Sequence, residues 1–216
     1  MKCGRKVAMI TGSSKGLGEA LAWIYAGHGY EVIVHGRSRS RVLGVCRRLR
    51  LKGFAARAVC GDINSAAVRG RLEKAARLRG LDILVNNAGE KCPGKPLASL
   101  SDLLIDRMIG TNLISVIKLT KMVLPLLVRS RGCVIMVNSR CGRHVRPKRT
   151  IYCASKWGLR GFSDALKLET QGRVRVLDAY PGSFSKEGSA FLRTGAVAQR
   201  IVDVQRKDSG NAQIVF

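Results

Sequence analysis

Along almost the whole chain, short apolar runs alternate with segments of helical length and period. The apolar runs at 6–11, 30–35, 54–60, 81–85, 132–138, 174–179 and 212–216 are mostly continuous, the pattern of strands buried on both faces of a sheet. Between them, 17–28, 39–52, 66–79, 97–108, 111–129 and 151–171 repeat their apolar positions at helical spacing, and 196–206 does so more weakly. Parallel strands joined through helices need right-handed crossovers. The order therefore predicts an α/β fold, a doubly wound parallel sheet of about seven strands with helices on both faces.

The 216 residues, 46% of them hydrophobic, suffice for one core and ask for no second, which predicts a single domain over 1–216. No run of eighteen or more apolar residues occurs, and residues 1–6 lead straight into the first strand, so a soluble, cytoplasmic protein without a membrane span is expected. Cys3, Cys46, Cys60, Cys92, Cys133, Cys141 and Cys153 form no CxxC pair. Neither a zinc site nor a disulfide framework is indicated, and reduced thiols are expected. Lys and Arg outnumber Asp and Glu by 39 to 14, a net charge of +25 that draws anionic cofactors, nucleic acid and acidic proteins alike. The basic residues are scattered, without the aromatic interleaving of a single-strand binder or the Cys/His spacing of a zinc finger. Nucleic-acid binding is therefore not expected to be the main role.

Candidate chemistry begins after the first strand, where Thr11-Gly12-Ser13-Ser14-Lys15-Gly16-Leu17-Gly18 makes a glycine-rich turn that opens a helix. Gly12, Gly16 and Gly18 let backbone approach a pyrophosphate, and the helix N-terminus offers it unpaired N–H groups and partial positive charge. Ser14, Lys15 and Leu17 lie in the same turn. The spacing is GxxxGxG, not GxGxxG, and its place in a βαβ unit is what marks it as a nucleotide site. At the end of the second strand a carboxylate would accept from the adenosine ribose of NAD(H), whereas an arginine would meet the 2′-phosphate of NADP(H). The sequence there is Val34-His35-Gly36-Arg37-Ser38-Arg39, with no acid between Glu31 and Asp62. A preference for NADP(H) over NAD(H) is therefore expected, with Arg37 and Ser38 as contacts and Lys15 as a second cation. Asp62 and Ile63 either cap the next helix or contact the adenine amino group. Asn86-Asn87-Ala88-Gly89 puts small and amide residues where the chain turns beside a ligand, and the asparagines could equally stabilise that turn.

Tyr152 and Lys156 stand four apart in a predicted helix, so they share a face and the ammonium can sit beneath the phenol. A phenol of reference pKa ~10 is protonated at neutral pH, and a nearby fixed cation favours its phenolate. Tyr152 then becomes a usable proton donor and acceptor. Ser139, at the end of a separate apolar run, could hold the same substrate oxygen.

With these elements in order, the chain resembles the short-chain dehydrogenase/reductase family over roughly residues 5–182. The matches are the glycine turn, Asn86-Asn87-Ala88-Gly89, Ser139, Tyr152-Cys153-Ala154-Ser155-Lys156 and Pro181-Gly182. The resemblance implies a Rossmann-type NAD(P)-binding domain in which Tyr152 gives a proton to a carbonyl oxygen while NADPH gives a hydride to its carbon. It implies that Ser139 orients the oxygen, that Lys156 lowers the tyrosine pKa and binds the nicotinamide ribose, and that Asn112 holds a water linking Lys156 to solvent. It places Pro181 and Gly182 over the nicotinamide, and it implies a homo-oligomer, dimer or tetramer, through the helices at 111–129 and 151–171. The family's usual PGxxxT has Lys186 at the threonine position, and Glu90-Lys91 and Lys148-Arg149-Thr150 are more charged than expected near an apolar substrate. The short stretch after Pro181 predicts a small substrate flap around 183–196 and an open pocket for bulky or carrier-bound substrates.

The function expected is an NADP-dependent carbonyl reductase or alcohol dehydrogenase acting on a small or medium ketone, aldehyde or 3-oxoacyl group. An acidic carrier would suit the basic surface. Arg140, Arg143, Arg146, Lys148 and Arg149 either receive an anionic group or form a solvated loop, and His144 has no partner at ligand spacing. The alternatives are a catalytically weak dinucleotide sensor and a basic nucleic-acid binder on the same fold.

Overall fold

Seven of the apolar runs form strands because their aliphatic side chains find cover on both sides. They are β1 (Val7–Ile10), β2 (Glu31–Gly36), β3 (Ala56–Cys60), β4 (Ile83–Asn86), β5 (Cys133–Val137), β6 (Arg175–Tyr180) and β7 (Ala212–Val215). The computed structural model describes residues 4–91, 93–182, 190–207 and 210–216, with backbone alone for 190–193. All pairings are parallel, in the order β3-β2-β1-β4-β5-β6-β7. The fold is the expected doubly wound Rossmann-type sheet.

Alternate residues of each strand feed two cores, as the two-residue period of a strand requires. Ala8, Ile10, Val32 and Val34 pack under α1 (Gly16–Gly27), α2 (Arg39–Leu51) and α7 (Ala190–Arg206). Val7, Met9, Ile33 and Leu84 pack against α3 (Ala66–Arg77), α5 (Ser115–Ser130) and α6 (Thr150–Thr170). Fully burying one such side chain contributes about 1.5–3 kcal/mol, so these layers hold the loops at the sheet's carboxyl end rigidly. The order reverses between β1 and β4, and their separating exits open the crevice in which α/β sheets bind ligands.

Three elements depart from expectation. The helix expected at 97–108 is a 3₁₀ turn (Leu97–Ser99) followed by α4 (Asp102–Ile109), whose N-cap Ser101 accepts from the Leu104 N–H at 3.4 Å. The break expected between that helix and the next is instead a π turn, Gly110–Ile114, so 102–130 is one continuous rod. Its length, and a mean hydropathy of 1.5 in its most apolar window, would suit a membrane span, yet half of that window is buried in the fold. Finally, α7 begins at Ala190 and packs on α1, where Tyr25 Oη meets Gln205 Oε1 at 3.4 Å. Of the expected flap around 183–196, residues 183–189, with Lys186, lie outside the described residues, and 190–196 are the first turns of α7.

Candidate active site

Thr11 follows β1 and stitches it to β4. Its hydroxyl donates to the Val85 carbonyl at 3.2 Å and accepts from the backbone N–H groups of Asn87 and Ala88 at 2.9 and 3.0 Å. Asn87 returns the contact, its amide donating to the carbonyls of Thr11 and Gly12 at 2.8 and 3.1 Å. Gly12 sits between, at φ +65°, where a Cβ would stand 2.9 Å from Ala88 Cα. No other residue combines that backbone with that closeness at low cost. Asn86, by contrast, is buried away from the crevice, donating to Thr120 Oγ1 at 3.1 Å.

His35, which the sequence reading passed over, closes the other side of the turn. Its Nδ1 accepts from the Gly12 N–H at 3.3 Å and its Nε2 meets the Gly61 carbonyl at 3.2 Å. Only the neutral Nε2–H tautomer satisfies both contacts. Burial enforces that state by pushing its pKa down to about 4. The signal was one imidazole directly after the aliphatic run Val32-Ile33-Val34, just before Gly36.

These loops enclose a cleft of about 400 Å³. Gly12, Ser14, Lys15, Gly16, Leu17 and Gly18 line one wall, Asn87, Ala88 and Gly89 the facing one, and Arg37, Asp62 and Ile63 line it as well. Ser38 stands outside that lining, as the residue before α2, with its hydroxyl 3.2 Å from Ser40 Oγ. Asp62 Oδ1 accepts from the Asn64 N–H at 2.9 Å in a turn ahead of α3, whose N-cap is Ser65, so the helix-capping alternative holds only in this displaced form.

A second cleft, about 580 Å³, adjoins the first through Leu17, Asn87, Gly89, Glu90 and Lys91, which line both. Ser139, Tyr152 and Lys156 line it together, with Pro181 and Gly182. Ser139 arrives from β5, where the neighbouring Asn138 side chain accepts from its backbone N–H at 2.9 Å and donates to the Lys156 carbonyl at 3.2 Å. The Ser139 hydroxyl accepts from the Cys141 N–H at 3.2 Å. On α6, Lys156 is buried, its Nζ donating to the Val137 carbonyl at 2.9 Å and lying 5.9 Å from the centre of the Tyr152 ring. Burial pushes its pKa down to about 8, with Cys141 a smaller opposing influence.

Asn112 lies in the π turn, behind the cleft wall. Its Oδ1 accepts from the Glu90 N–H at 2.7 Å and its Nδ2 donates to Ser155 Oγ at 3.2 Å. It thus joins the chain after Gly89 to α6. Of the basic residues flagged near Tyr152, Arg140, Arg146 and Arg149 line the second cleft with Lys91; Arg143 lies over the Tyr180 ring at 5.5 Å, and His144 is exposed. One relationship was not foreseen. Glu90 Oε1 meets Arg37 Nη1 at 2.7 Å and Arg107 Nε and Nη2 at 3.0 and 2.9 Å, linking the ends of β2 and β4 to α4.

A family model described as short chain dehydrogenase matches residues 6–195. Nodulation protein G of Rhizobium sp. (strain N33) is 37% identical over 184 residues, covering 83% of this chain and 73% of that protein. The ketoacyl reductase HetN of Nostoc sp. is 30% identical over 187 residues, covering 85% of this chain and 65% of that protein. Among solved structures, a metagenomic short-chain oxidoreductase in complex with NADP superposes with a TM-score of 0.87 at 26% identity, covering 97% of this chain and 95% of that one.

Proposed function

The chain belongs to the short-chain dehydrogenase family of oxidoreductases, and from that premise we propose that it reduces a carbonyl group to an alcohol with NADPH, Tyr152 acting as the proton donor. The observation that carries this reading is the continuous groove that runs from the glycine turn to Ser139, Tyr152 and Lys156. The groove suits a dinucleotide. Among the described residues, no atom beyond the adjoining backbone lies within 4 Å of where a Cβ on Gly16 would stand, and α1 carries no side-chain N-cap there, so its first N–H groups are open to a phosphate. Bound there, the nicotinamide would supply the hydride.

The chain's own residues do the rest. Lys156, with a pKa near 8, keeps its charge at neutral pH in most molecules, close enough to the Tyr152 ring to favour the phenolate that proton donation leaves. Ser139, lining the same cleft, offers its hydroxyl to the substrate oxygen. Asn112 fixes the wall itself through Glu90 and Ser155.

Preference for NADP(H) is supported by Arg37 and Lys15 in the first cleft and by the absence of an acid at the end of β2. For the substrate, Lys91, Arg140, Arg146 and Arg149 around the second cleft favour a carbonyl compound with an anionic part, such as a carrier-bound 3-oxoacyl group, and HetN bears the name of a ketoacyl reductase. Homo-oligomerisation through α5 and α6 is supported by exposed Trp157 and Leu168, eleven residues apart and so on one face of α6. Screening ketones, aldehydes and 3-oxoacyl thioesters for oxidation of NADPH and NADH tests the activity. Turnover that survives in Tyr152→Phe would overturn the assigned proton donor, and tight NADPH binding without turnover would favour the sensor reading.

A further inference from the structure

The groove that would receive the cofactor is spanned at its first cleft by an ion pair. Arg37, expected to meet the 2′-phosphate, holds Glu90 Oε1 at 2.7 Å, and the same oxygen takes two further contacts from Arg107, at 3.0 and 2.9 Å. The three groups differ in freedom. Glu90 is tied down through its backbone, whose N–H donates to buried Asn112 at 2.7 Å, and its side chain is 19% exposed. Arg37 and Arg107 are similarly exposed, at 55% and 48%, but Arg37 contributes one contact and Arg107 two, so Arg37 can turn away while Glu90 stays doubly held.

Resting on the reading that Arg37 binds the 2′-phosphate of NADP(H), we infer that Glu90 is a specificity-determining residue that competes with that phosphate for Arg37. Arg107 is the positioning residue that keeps the carboxylate when the phosphate takes Arg37. The chemistry follows from charge. A carboxylate at hydrogen-bond distance neutralises the cation a phosphate would use and repels the phosphate itself, whereas a ribose hydroxyl can donate to it. Lys15, Lys91 and Asp62 face the same cleft but none is paired with Arg37 in the described contacts, so the exchange centres on the three residues named. Glu90 therefore costs NADP(H) affinity and costs NAD(H) none, moderating a preference that Arg37 sets.

Equilibrium titration of wild type, Glu90→Gln, Arg107→Met, Arg37→Ala and Arg37→Ala/Glu90→Gln with 2′,5′-ADP, 5′-ADP, NADPH and NADH tests this, with thermal unfolding of each variant alongside. Glu90→Gln should tighten 2′,5′-ADP and NADPH about threefold, the scale of one exposed ion pair, without tightening 5′-ADP or NADH. Arg107→Met, which leaves Glu90 to Arg37 alone, should weaken the two 2′-phosphate ligands. In the Arg37→Ala background the Glu90→Gln effect should vanish. If 2′,5′-ADP binds wild type no better than 5′-ADP, the NADP(H) reading fails and this inference with it. If Arg37→Ala weakens 2′,5′-ADP while Glu90→Gln leaves it unchanged, or shifts all four ligands alike, the role of Glu90 alone is overturned.

Discussion

The Lys156 ammonium donates to the Val137 carbonyl at 2.9 Å, so the charge beside Tyr152 is anchored to the last residue of β5. That anchoring is bought with desolvation, and the cost is visible as a pKa pushed from 10.5 down to about 8. Below pH 8 both folded and unfolded chains hold this proton. Between about 8 and 10.5 only the unfolded chain does, so the contribution of Lys156 makes stability rise with pH across that window, by about 3 kcal/mol at full extent. Urea unfolding at stepped pH should show the rise in wild type relative to Lys156→Met. Identical slopes would mean the ammonium is not desolvated.

His35 makes a prediction in acid. Its folded pKa is near 4 and its unfolded value near 6.5, so as pH falls through that interval the unfolded chain gains a proton the folded one refuses. Its contribution is complete above pH 6.5 and declines by about 3 kcal/mol by pH 4, levelling below. The imidazole resonances should stay unprotonated until close to pH 4. A midpoint near 6.5 would show that the ring does not hold the glycine turn.

Asn112→Ala should cost about 1–2 kcal/mol, the penalty for leaving the half-buried Glu90 N–H without its acceptor. The specific mark is the Glu90 amide, which Asn112 Oδ1 engages at 2.7 Å. Hydrogen exchange at that amide should be slow in wild type and fast in the variant, and unchanged exchange would remove Asn112 from its role as a fastener.

Gly12→Ala should lose about 1–3 kcal/mol of stability and weaken dinucleotide binding. The new methyl would stand 2.9 Å from Ala88 Cα on a backbone at φ +65°. Calorimetry with 5′-ADP compares the two proteins directly, and equal affinity would place the ligand elsewhere.

The strands were legible because a parallel sheet buried on both faces leaves continuous aliphatic runs, as in Val32–Val34 or Val134–Val137, that little else in a chain of this length produces. The glycine turn and the Tyr152–Lys156 pair were legible because they are local. What escaped was either a competing local rule or a contact across long separations. Gly110 reads as a breaker, yet a π turn absorbed it. Ser101 lacked the acidic partner that announces a capping box, so α4 was begun too early. The Arg37–Glu90 pair spans 53 residues, and although each side chain stood out separately, nothing local joins them. His35 acts on backbone groups, so its lone imidazole in the sequence did not show which partners it meets.

The π turn at Gly110–Ile114 has a consequence for how one rod serves two surfaces. An added residue in a helix offsets the angular phase of everything before it by about 100° relative to everything after. Here the offset lets α5 press its apolar stripe into the sheet while α4, on nearly the same axis, presents Arg107 toward Glu90. Deleting one residue from the turn would restore uniform winding, leave α5 seated, and swing Arg107 a quarter-circle away from the carboxylate it holds.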